Sequence, residues 1–404
     1  MPADGYQTKW VFDLGREYVA QMGRPPLRPS HWDSDATRFE LPPLPWASIS
    51  AAVQKSMQTY SFFPESVETR SQIAEACTKD PIDGVSFPVA LENVSLQGSS
   101  TLAIYLALLA LRDSGSKRAI VLSPVYFSVW DSCESLGIDP HLFPTNAMTG
   151  GIPPVEEVLD AIHQITADVV IATDPTFPLG RRWRTRDLEK LVNGAAALGC
   201  TTLLDASQTG LHWRNEPDCG TAGVRVEQPD RLVIVQSPSK AFFLHGARFA
   251  HVIAPSLIAR DMNEMAYVVG GATSALQREV AEAIYASSGS PEMDLVRQAN
   301  IARLAASYQE TEALARSEGL VTAPTQSGVL TMVHLPGTPM TLAAEKEFTT
   351  KALWKHGVHV LPGRCFRVAE ETNALCFRLS LARPMSEVLA GVRAIAAVRD
   401  DLAR

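Results

Sequence analysis

The segment LVIVQSPSK, residues 232–240, decides the fold, because it runs from an apolar strand into a lysine among hydroxyl groups. Its first four residues have the length and β-branched character of a buried strand. Ser237, Ser239 and Lys240 follow, and Arg248 comes eight residues after the lysine. The amine can form a Schiff base with an aldehyde, and the hydroxyls and guanidinium can hold a phosphate. The segment alone equally fits an exposed lysine in a polar loop beside a surface arginine.

A carboxylate stands at the end of a second strand-like run. In TTLLDAS, residues 201–207, four residues of strand character lead to Asp205. Functional groups of parallel sheets collect at the carboxyl ends of the strands, so Asp205 is placed to enter the same site as Lys240. The alternative is an aspartate that caps a helix or closes a turn, which is common after strands.

A third segment combines a strand, a turn of small residues and a helix. It reads VSLQGSST, residues 94–101, and leads into a long apolar run. Backbone amides and hydroxyls at a helix N-terminus bind anions. We therefore expect Gln97, Gly98 and Ser99 to face a phosphate, although an ordinary serine cap of the helix would produce the same pattern.

Taken together, and in their order along the chain, the three segments resemble the aminotransferase class I/II family, fold type I enzymes that use pyridoxal 5′-phosphate. That family carries Ser-x-Ser-Lys followed by Gly-x-Arg, as residues 237–248 do here. The resemblance covers roughly residues 60–398 in the same order. The departures described below make this chain a divergent member.

The resemblance implies a role for each segment. Lys240 binds the cofactor as an imine and later acts as general base at the substrate Cα. Asp205 pairs with the pyridine nitrogen and keeps it protonated, so that the ring draws electrons from that carbon. The residues that the resemblance assigns to the phosphate are Gly98, Ser99, Gln97, Ser237, Ser239 and Arg248.

Three further positions match the family. Tyr126, in the sequence SPVY, stands where the family stacks an aromatic ring on the pyridine, although a core tyrosine would also fit. Arg378, in FRLS, stands where the family's arginine forks onto the substrate α-carboxylate, and a surface arginine at a strand edge is the alternative. Tyr60, ten residues before Arg70, matches a tyrosine that reaches the phosphate of the neighbouring subunit. This match implies a homodimer with active sites at the interface.

The chain departs from the family after one of its strand-like runs. Family members read Asn-Pro-x-Asn-Pro-Thr-Gly there, whereas residues 174–180 read DPTFPLG. Phe177 thus replaces an asparagine that donates to the phenolic oxygen of the cofactor. Gln208 replaces a tyrosine that serves the same oxygen, and its amide can still donate. Losing a donor alters the protonation of the linked imine, unless Asp174 or Thr176 takes over the contact.

Composition and charge narrow the possible functions. The 404 residues suffice for two domains, and a hydrophobic content of 46% is ordinary for a globular protein. A net charge of −8 gives no sign of the positive surface that binds nucleic acid or an anionic membrane. No apolar run is long enough to span a bilayer. The N-terminus lacks a signal-peptide core, so we expect a cytoplasmic location. The spacing of the cysteines does not indicate a set of disulfide bonds, and neither the cysteines nor the histidines have the spacing of metal ligands.

Strand-like and helix-like segments alternate from residue 94 to 254, which predicts an α/β fold with a mostly parallel, doubly wound sheet. The strand candidates are Ala119–Leu122, Ala167–Ala172, Thr201–Leu204, Leu232–Val235 and Phe249–Ala254. The chain then turns helical and ends in a β-α-β-α pattern. We therefore expect a large cofactor-binding domain at residues 46–290 and a small α+β domain at 291–404. The N-terminal arm, residues 1–45, should pack with the small domain.

These inferences predict an enzyme that acts on an α-amino acid through external aldimine and quinonoid intermediates. Transamination is the commonest outcome in the family, and the changed phenolate contacts favour a role in specialised metabolism. The alternatives on the same cofactor are β- or γ-elimination, replacement or cyclisation, for example on S-adenosylmethionine, and oxidation of the carbanion. A non-catalytic protein that binds the cofactor is a further alternative. The sequence does not identify the amino acid.

Overall fold

The computed structural model describes residues 8–57, 67–79, 84–213, 218–269, 273–370 and 374–402. Two sheets with helices packed against them make up this part of the chain. The helices are α1 (Lys9–Met22), α2 (Trp46–Ser56), α3 (Val67–Lys79), α4 (Ser100–Asp113), α5 (Phe127–Leu136), α6 (Val155–Ile165), α7 (Thr185–Ala197), α8 (Pro238–Ala241), α9 (Ser256–Val268), α10 (Ala275–Ala286), α11 (Pro291–Ser317), α12 (Leu342–His356) and α13 (Met385–Leu402). Within the described ranges, no helix is both long and apolar enough to cross a membrane.

The larger sheet has seven strands and is mostly parallel. Its strands are β1 (Val94–Gln97), β2 (Arg118–Leu122), β3 (Asp139–Phe143), β4 (Val169–Thr173), β5 (Thr201–Ala206), β6 (Leu232–Gln236) and β7 (Ala250–Ile253). They lie in the order β1-β7-β6-β5-β4-β2-β3, and only the pairings of β7 are antiparallel. The predicted α/β sheet is therefore confirmed, and the five strand candidates all lie within two residues of observed strands.

The edge strand β3 has no counterpart among the predicted strands. It contains Asp139, Pro140 and His141 and is half-buried or exposed along its length. A strand at the edge of a sheet pairs on one side only, so it tolerates a proline and polar residues. It pairs in parallel with β2, for example Leu142 with Val121. The apolar pattern that marks central strands is therefore absent here.

Helices cover both faces of the larger sheet, as a doubly wound fold requires. Residues of α4, α5 and α9 share one core with the strands, and residues of α6, α7 and α10 share the other. Successive side chains of a strand enter opposite cores, as Val233 and Ile234 do. Burial on both faces explains why the central strands are apolar throughout rather than alternating.

The smaller sheet is antiparallel and lies in the C-terminal part of the chain. Its strands are β8 (Val321–Thr322), β9 (Leu330–Pro339), β10 (Leu361–Pro362) and β11 (Ala374–Ser380), in the order β10-β11-β9-β8. Residues of α11, α12 and α13 pack with these strands in a common core. This arrangement confirms the predicted α+β unit.

The N-terminal arm packs on the smaller sheet, as predicted. Leu27 forms a parallel bridge with Val358, and the backbone N–H of Ser380 donates to the carbonyl oxygen of Pro29 at 2.7 Å. Helix α1, which the sequence did not reveal, lies within the arm and packs against α12. The limits of the domains at residues 45 and 290 stay a prediction.

Candidate active site

Seven of the predicted site residues line one cavity at the carboxyl edge of the larger sheet. They are Ser99, Tyr126, Asp205, Ser237, Ser239, Lys240 and Arg248. The cavity has a volume of about 140 Å³. Parallel strands end at the same edge of a sheet, which is why segments so far apart in sequence meet here.

Lys240 lies in the short helix α8, directly after strand β6. Its Nζ donates to Ser207 Oγ at 3.0 Å and to Ser100 Oγ at 3.3 Å. Burial lowers the pKa of Lys240 to about 8; the Asp205 carboxylate opposes this shift, and the Arg248 guanidinium adds to it. A sizeable fraction of the amine is therefore unprotonated near neutral pH, as a nucleophile or general base requires.

The two serines beside the lysine are held against a backbone carbonyl. Ser237 Oγ and Ser239 Oγ lie 3.1 Å apart, and both donate to the carbonyl oxygen of Phe249, at 2.9 and 3.2 Å. A phosphate would compete with this carbonyl for the two hydroxyl hydrogens. The serines would therefore rotate their O–H bonds when an anion binds.

Ser99 fits both of the interpretations that its sequence allows. It is the N-cap of α4, and its Oγ accepts from the backbone N–H of Leu102 at 3.1 Å. A hydroxyl that accepts as a cap can still donate its own hydrogen to an anion. The N-terminus of a fourteen-residue helix also directs its positive dipole end at the cavity.

Gln277, which the sequence did not single out, joins the two backbone segments of the anion site. Its Nε2 donates to the carbonyl oxygen of Gly98 at 3.2 Å and to that of Arg248 at 2.5 Å. Gln277 itself is fixed by a capping box with Ser274 at the start of α10. Arg248 has a φ of 55°, a conformation that is uncommon for arginine, so this link also stabilises an unusual backbone.

Asp205 and Tyr126 both line the cavity. Asp205 ends strand β5, and its Oδ1 accepts from the backbone N–H of Ser207 at 3.0 Å. Tyr126 directly precedes α5, and burial raises the pKa of its hydroxyl, while a hydrogen bond with Thr101 opposes the shift. The ring of Tyr126 therefore stays neutral and faces the same cavity as the carboxylate.

Arg378 is the most unusual charged group near this cavity. The side chain is only 2% exposed and lies between the rings of Phe366 and Trp32, whose centroids are 4.7 and 5.3 Å from its Cζ. Nη2 donates to the carbonyl oxygen of Ser30, but Nε and Nη1 have no partner among the described residues. Burial lowers the pKa of Arg378 to about 10. Two buried donors without acceptors are costly, and a carboxylate that accepts from Nη2 and from one of these donors would bind as a fork.

Besides Arg378, four predicted residues do not line the cavity or lie outside the described ranges. Gln97 is fully buried, and its Nε2 donates to Ser95 Oγ at 2.7 Å. Gly98 borders the site through its backbone only, as described above. Gln208 turns its Oε1 toward the backbone N–H of Val329, at 3.2 Å. Tyr60 lies outside the residues that the structure describes.

Comparisons with known proteins place this geometry in a family. The sequence profile of aminotransferase class I and II matches residues 38–395. The chain belongs to this family. An aspartate aminotransferase of Pyrococcus horikoshii is 23% identical over 284 residues, which cover 69% of this chain and 68% of that protein.

Solved structures of aminotransferases share the fold. One from Mycobacterium tuberculosis superimposes with a TM-score of 0.81 at 20% identity, over 98% of each chain. The aspartate aminotransferase from Rhizobium meliloti gives a TM-score of 0.80 at 17% identity, over 96% of each chain. Family membership makes this chain an aminotransferase-like enzyme that depends on pyridoxal 5′-phosphate.

The cavity of this enzyme is chemically matched to that cofactor. Lys240 provides an amine for the aldehyde, Asp205 an acceptor for the pyridine nitrogen, and Tyr126 an aromatic face. The groups suited to the phosphate are the N-terminus of α4 and the side chains of Ser99, Ser237, Ser239 and Arg248. The aldehyde, the pyridine nitrogen and the phosphate of the cofactor thus each have a group of complementary chemistry.

The structure also shows the contacts of the residues beside Phe177, which stands at the position of the family's asparagine. Asp174 accepts from the backbone N–H of Trp183 at 3.1 Å and lies 3.5 Å from the Arg182 guanidinium. The Thr176 hydroxyl donates to the carbonyl oxygen of Gly150 at 2.8 Å. Both side chains are engaged away from the cavity, whereas Phe177 lines it. Neither residue is therefore placed to replace the lost donor.

Trp32 is the site residue that sequence reasoning missed most completely. It lies in the N-terminal arm, and its ring centroid is 5.3 Å from both Lys240 Nζ and Arg378 Cζ. It stacks on Phe177 at 5.8 Å with an interplanar angle of 18°. The arm has no periodic pattern that could indicate this position, because the contacts are made with segments of both sheets.

Proposed function

We propose that this enzyme transfers the amino group of an α-amino acid by means of pyridoxal 5′-phosphate and serves specialised metabolism. The main support is Arg378, a buried guanidinium that has two donors without partners among the described residues and shares the Trp32 ring with Lys240. Either donor, together with the second hydrogen of Nη2, forms a fork that fits the two oxygens of an α-carboxylate. It would hold the substrate with its Cα toward the lysine amine.

The residues of the chain would then act on the substrate as follows. When bound, pyridoxal phosphate supplies an electrophilic aldehyde and a ring that withdraws electrons from Cα. Lys240 would remove the proton from Cα and return a proton, for which its pKa of about 8 is suitable. Asp205 would hold a proton on the pyridine nitrogen, and the wall of rings around Trp32 would limit access of water.

The remaining assignments are part of the same proposal. Gly98, Ser99, Ser237, Ser239 and Arg248 would hold the phosphate, Gly98 through its backbone, and Tyr126 would stack on the ring, whereas the side chain of Gln97 is turned into the core. Gln208 is held through its oxygen, which leaves its NH2 group as the end that can donate to the phenolic oxygen. Tyr60 would reach the phosphate of a second subunit, so we propose a homodimer whose active sites lie at the interface.

One observation favours a second candidate, a non-transaminating reaction on the same cofactor. Phe177 stands where the family places a donor to the phenolic oxygen, and Asp174 and Thr176 are engaged elsewhere. A changed environment of this oxygen alters the electronics of the ring and can redirect the reaction. Elimination, replacement, cyclisation and oxidation of the substrate are the outcomes that this change allows.

Absorbance spectroscopy of the purified, cofactor-loaded enzyme tests the proposal. The spectrum is recorded before and after addition of amino acids, including S-adenosylmethionine, and the products are analysed. One equivalent of keto acid with conversion of the cofactor to pyridoxamine phosphate supports transamination. Release of ammonia, a leaving group or peroxide with an unchanged cofactor supports the second candidate.

Two lysine variants provide the control for this experiment. Lys240→Ala should abolish both the cofactor band and turnover, whereas Lys117→Ala changes an exposed lysine and should leave both unaltered. Retention of the cofactor band and turnover in Lys240→Ala would contradict the proposal.

A further inference from the structure

The two groups that would anchor a substrate both lie close to one aromatic ring. The ring centroid of Trp32 lies 5.3 Å from Lys240 Nζ and 5.3 Å from Arg378 Cζ. A substrate whose carboxylate is bound by Arg378 and whose Cα faces Lys240 must therefore lie along Trp32. This step rests on the function proposed above.

Other aromatic rings extend this surface. Phe177 stacks on Trp32 at 5.8 Å and meets Tyr126 edge-on at 5.5 Å and Phe366 edge-on at 5.7 Å. Tyr126 also meets Trp32 edge-on at 6.3 Å. We call these four residues the aromatic wall. Phe177 is 5% exposed and Phe366 is fully buried, so the wall is rigidly packed behind its exposed face.

The proposed function already assigns each charged group at the cavity to the cofactor or to the substrate α-carboxylate. Among the described residues that line it, these groups are Asp205, Lys240 and Arg248, with Arg378 beside them. His245 also lines the cavity, but burial lowers its pKa to about 4, which keeps it neutral at physiological pH. The described residues thus leave no cation to bind a second carboxylate of the substrate.

The electrostatics of the wall disfavour a charged side chain of either sign. Aromatic faces carry partial negative charge, so they repel a carboxylate. They attract cations, but a cationic side chain here would lie close to Lys240, Arg248 and Arg378. We propose that the aromatic wall selects amino acids with an uncharged apolar or aromatic side chain, and that Trp32 determines this specificity.

The position of Trp32 is coupled to that of the carboxylate anchor. Two residues before it, Ser30 accepts from Arg378 Nη2 through its carbonyl oxygen and donates through its hydroxyl to the carbonyl oxygen of Arg378. The backbone N–H of Leu361 donates to the same hydroxyl at 3.3 Å. The arm therefore holds the ring against Arg378 from a fixed backbone, as a selective surface requires.

Binding of α-methyl amino acids to the cofactor-loaded enzyme tests this proposal without turnover, because these compounds have no Cα proton to lose. Dissociation constants are measured by calorimetry for α-methylphenylalanine, α-methylleucine, α-methylaspartate and α-methylornithine. We expect both apolar compounds to bind at least about tenfold more tightly than the two charged ones, the change that one aromatic contact provides. Equal or tighter binding of either charged compound would overturn the proposal.

Matched variants assign the effect to the wall. Trp32→Ala should remove the preference, Trp32→Phe should keep most of it, and Trp354→Phe, a change in α12, should leave it unaltered. Phe177→Leu keeps an apolar wall, so it should weaken α-methylphenylalanine more than α-methylleucine, even if Trp32→Ala fails to fold. An unchanged preference in a folded Trp32→Ala, or no selective effect of Phe177→Leu, would show that other residues decide specificity.

The experiment separates this proposal from the proposed function. Tight binding of α-methylaspartate with release of a keto acid from aspartate would refute the selectivity and leave the aminotransferase function intact. If the enzyme binds none of the four compounds, the assignment of an amino-acid substrate fails together with the selectivity.

Discussion

Replacing Arg378 with methionine tests the proposed carboxylate anchor directly. The variant keeps an unbranched apolar chain between Trp32 and Phe366 but removes the guanidinium. In the intact protein Nη2 gives one of its two hydrogens to Ser30, so its other hydrogen and that of Nε or Nη1 are left to form a fork on a substrate carboxylate. The effect should therefore fall on the binding of two carboxylate oxygens.

The magnitude follows from these two donors. A hydrogen bond to a charged group contributes ~1.5–3 kcal/mol, so two contribute ~3–6 kcal/mol. Because ~1.4 kcal/mol corresponds to a factor of ten, Arg378→Met should lower kcat/KM for an accepted amino acid by about 10²- to 10⁴-fold.

The assay compares that amino acid with the corresponding amine, which has no carboxylate. Single-turnover absorbance changes of the bound cofactor give kcat/KM for both compounds in each protein. The unmodified enzyme should strongly prefer the amino acid, and Arg378→Met should lose this preference while it reacts with the amine at an unchanged rate. Arg367→Met serves as the control, because its guanidinium also lies over a tryptophan, Trp130 of α5, at 4.6 Å, but neither residue lines the cavity.

Two results would refute the reasoning. An equal loss on the amine and the amino acid would mean that Arg378 supports the fold of the site rather than the carboxylate. A loss below about tenfold on the amino acid would mean that another group binds the carboxylate, since even one charged hydrogen bond should exceed this value. Thermal unfolding of both variants shows whether the fold persists.

Three further predictions concern the cofactor site and the core. The rate at which pyridoxal phosphate combines with the cofactor-free protein should rise with pH and level off above about 8, because burial lowers the pKa of Lys240 to this value. If the midpoint of this pH–rate curve lies near ~10, as for an exposed lysine, burial does not set the reactivity of Lys240. Gln277→Leu removes the link between Gly98 and Arg248 and should weaken pyridoxal phosphate binding up to about thirtyfold in equilibrium dialysis, since it removes two hydrogen bonds of ~1 kcal/mol each; an unchanged dissociation constant would show that the link is dispensable. Burial lowers the pKa of His251 to about 3, so between pH ~6.5 and 3 the unfolded chain binds a proton that the folded chain excludes. The free energy of unfolding should therefore decrease as the pH is lowered through this range, by up to ~1.4 kcal/mol per pH unit. Urea unfolding of His251→Gln should show a shallower loss over this range, and parallel curves would rule out this contribution.

Much of the cofactor site could be predicted because its parts follow strands. The apolar runs before Asp205 and Ser237 identify central strands, and residues just after such strands meet at one edge of a parallel sheet. The order of the segments then indicated the family, and the structure brings Lys240, Asp205 and Arg248 to one cavity. Local pattern and sheet geometry together were sufficient for this part.

Residues outside that pattern were not predictable in the same way. Gln97 belongs to the correct segment, but its side chain turns into the core toward Ser95. In a strand, neighbouring side chains point to opposite faces, so a shift of one residue decides between the cavity and the core. Gln277 has no signal in the sequence, because its role depends on where α10 packs.

By itself, the sequence determined the α/β fold, the lysine with its carboxylate and the anion-binding turn, because these features depend on short segments and the ends of parallel strands. Only the tertiary structure decided that Trp32 lies over both Lys240 and Arg378 and that two guanidinium donors remain without partners among the described residues. Ser30 and Arg378 are 348 residues apart, and their contact arises from the packing of the arm on the smaller sheet. Such contacts depend on three-dimensional packing and carry no period or spacing that a sequence could show.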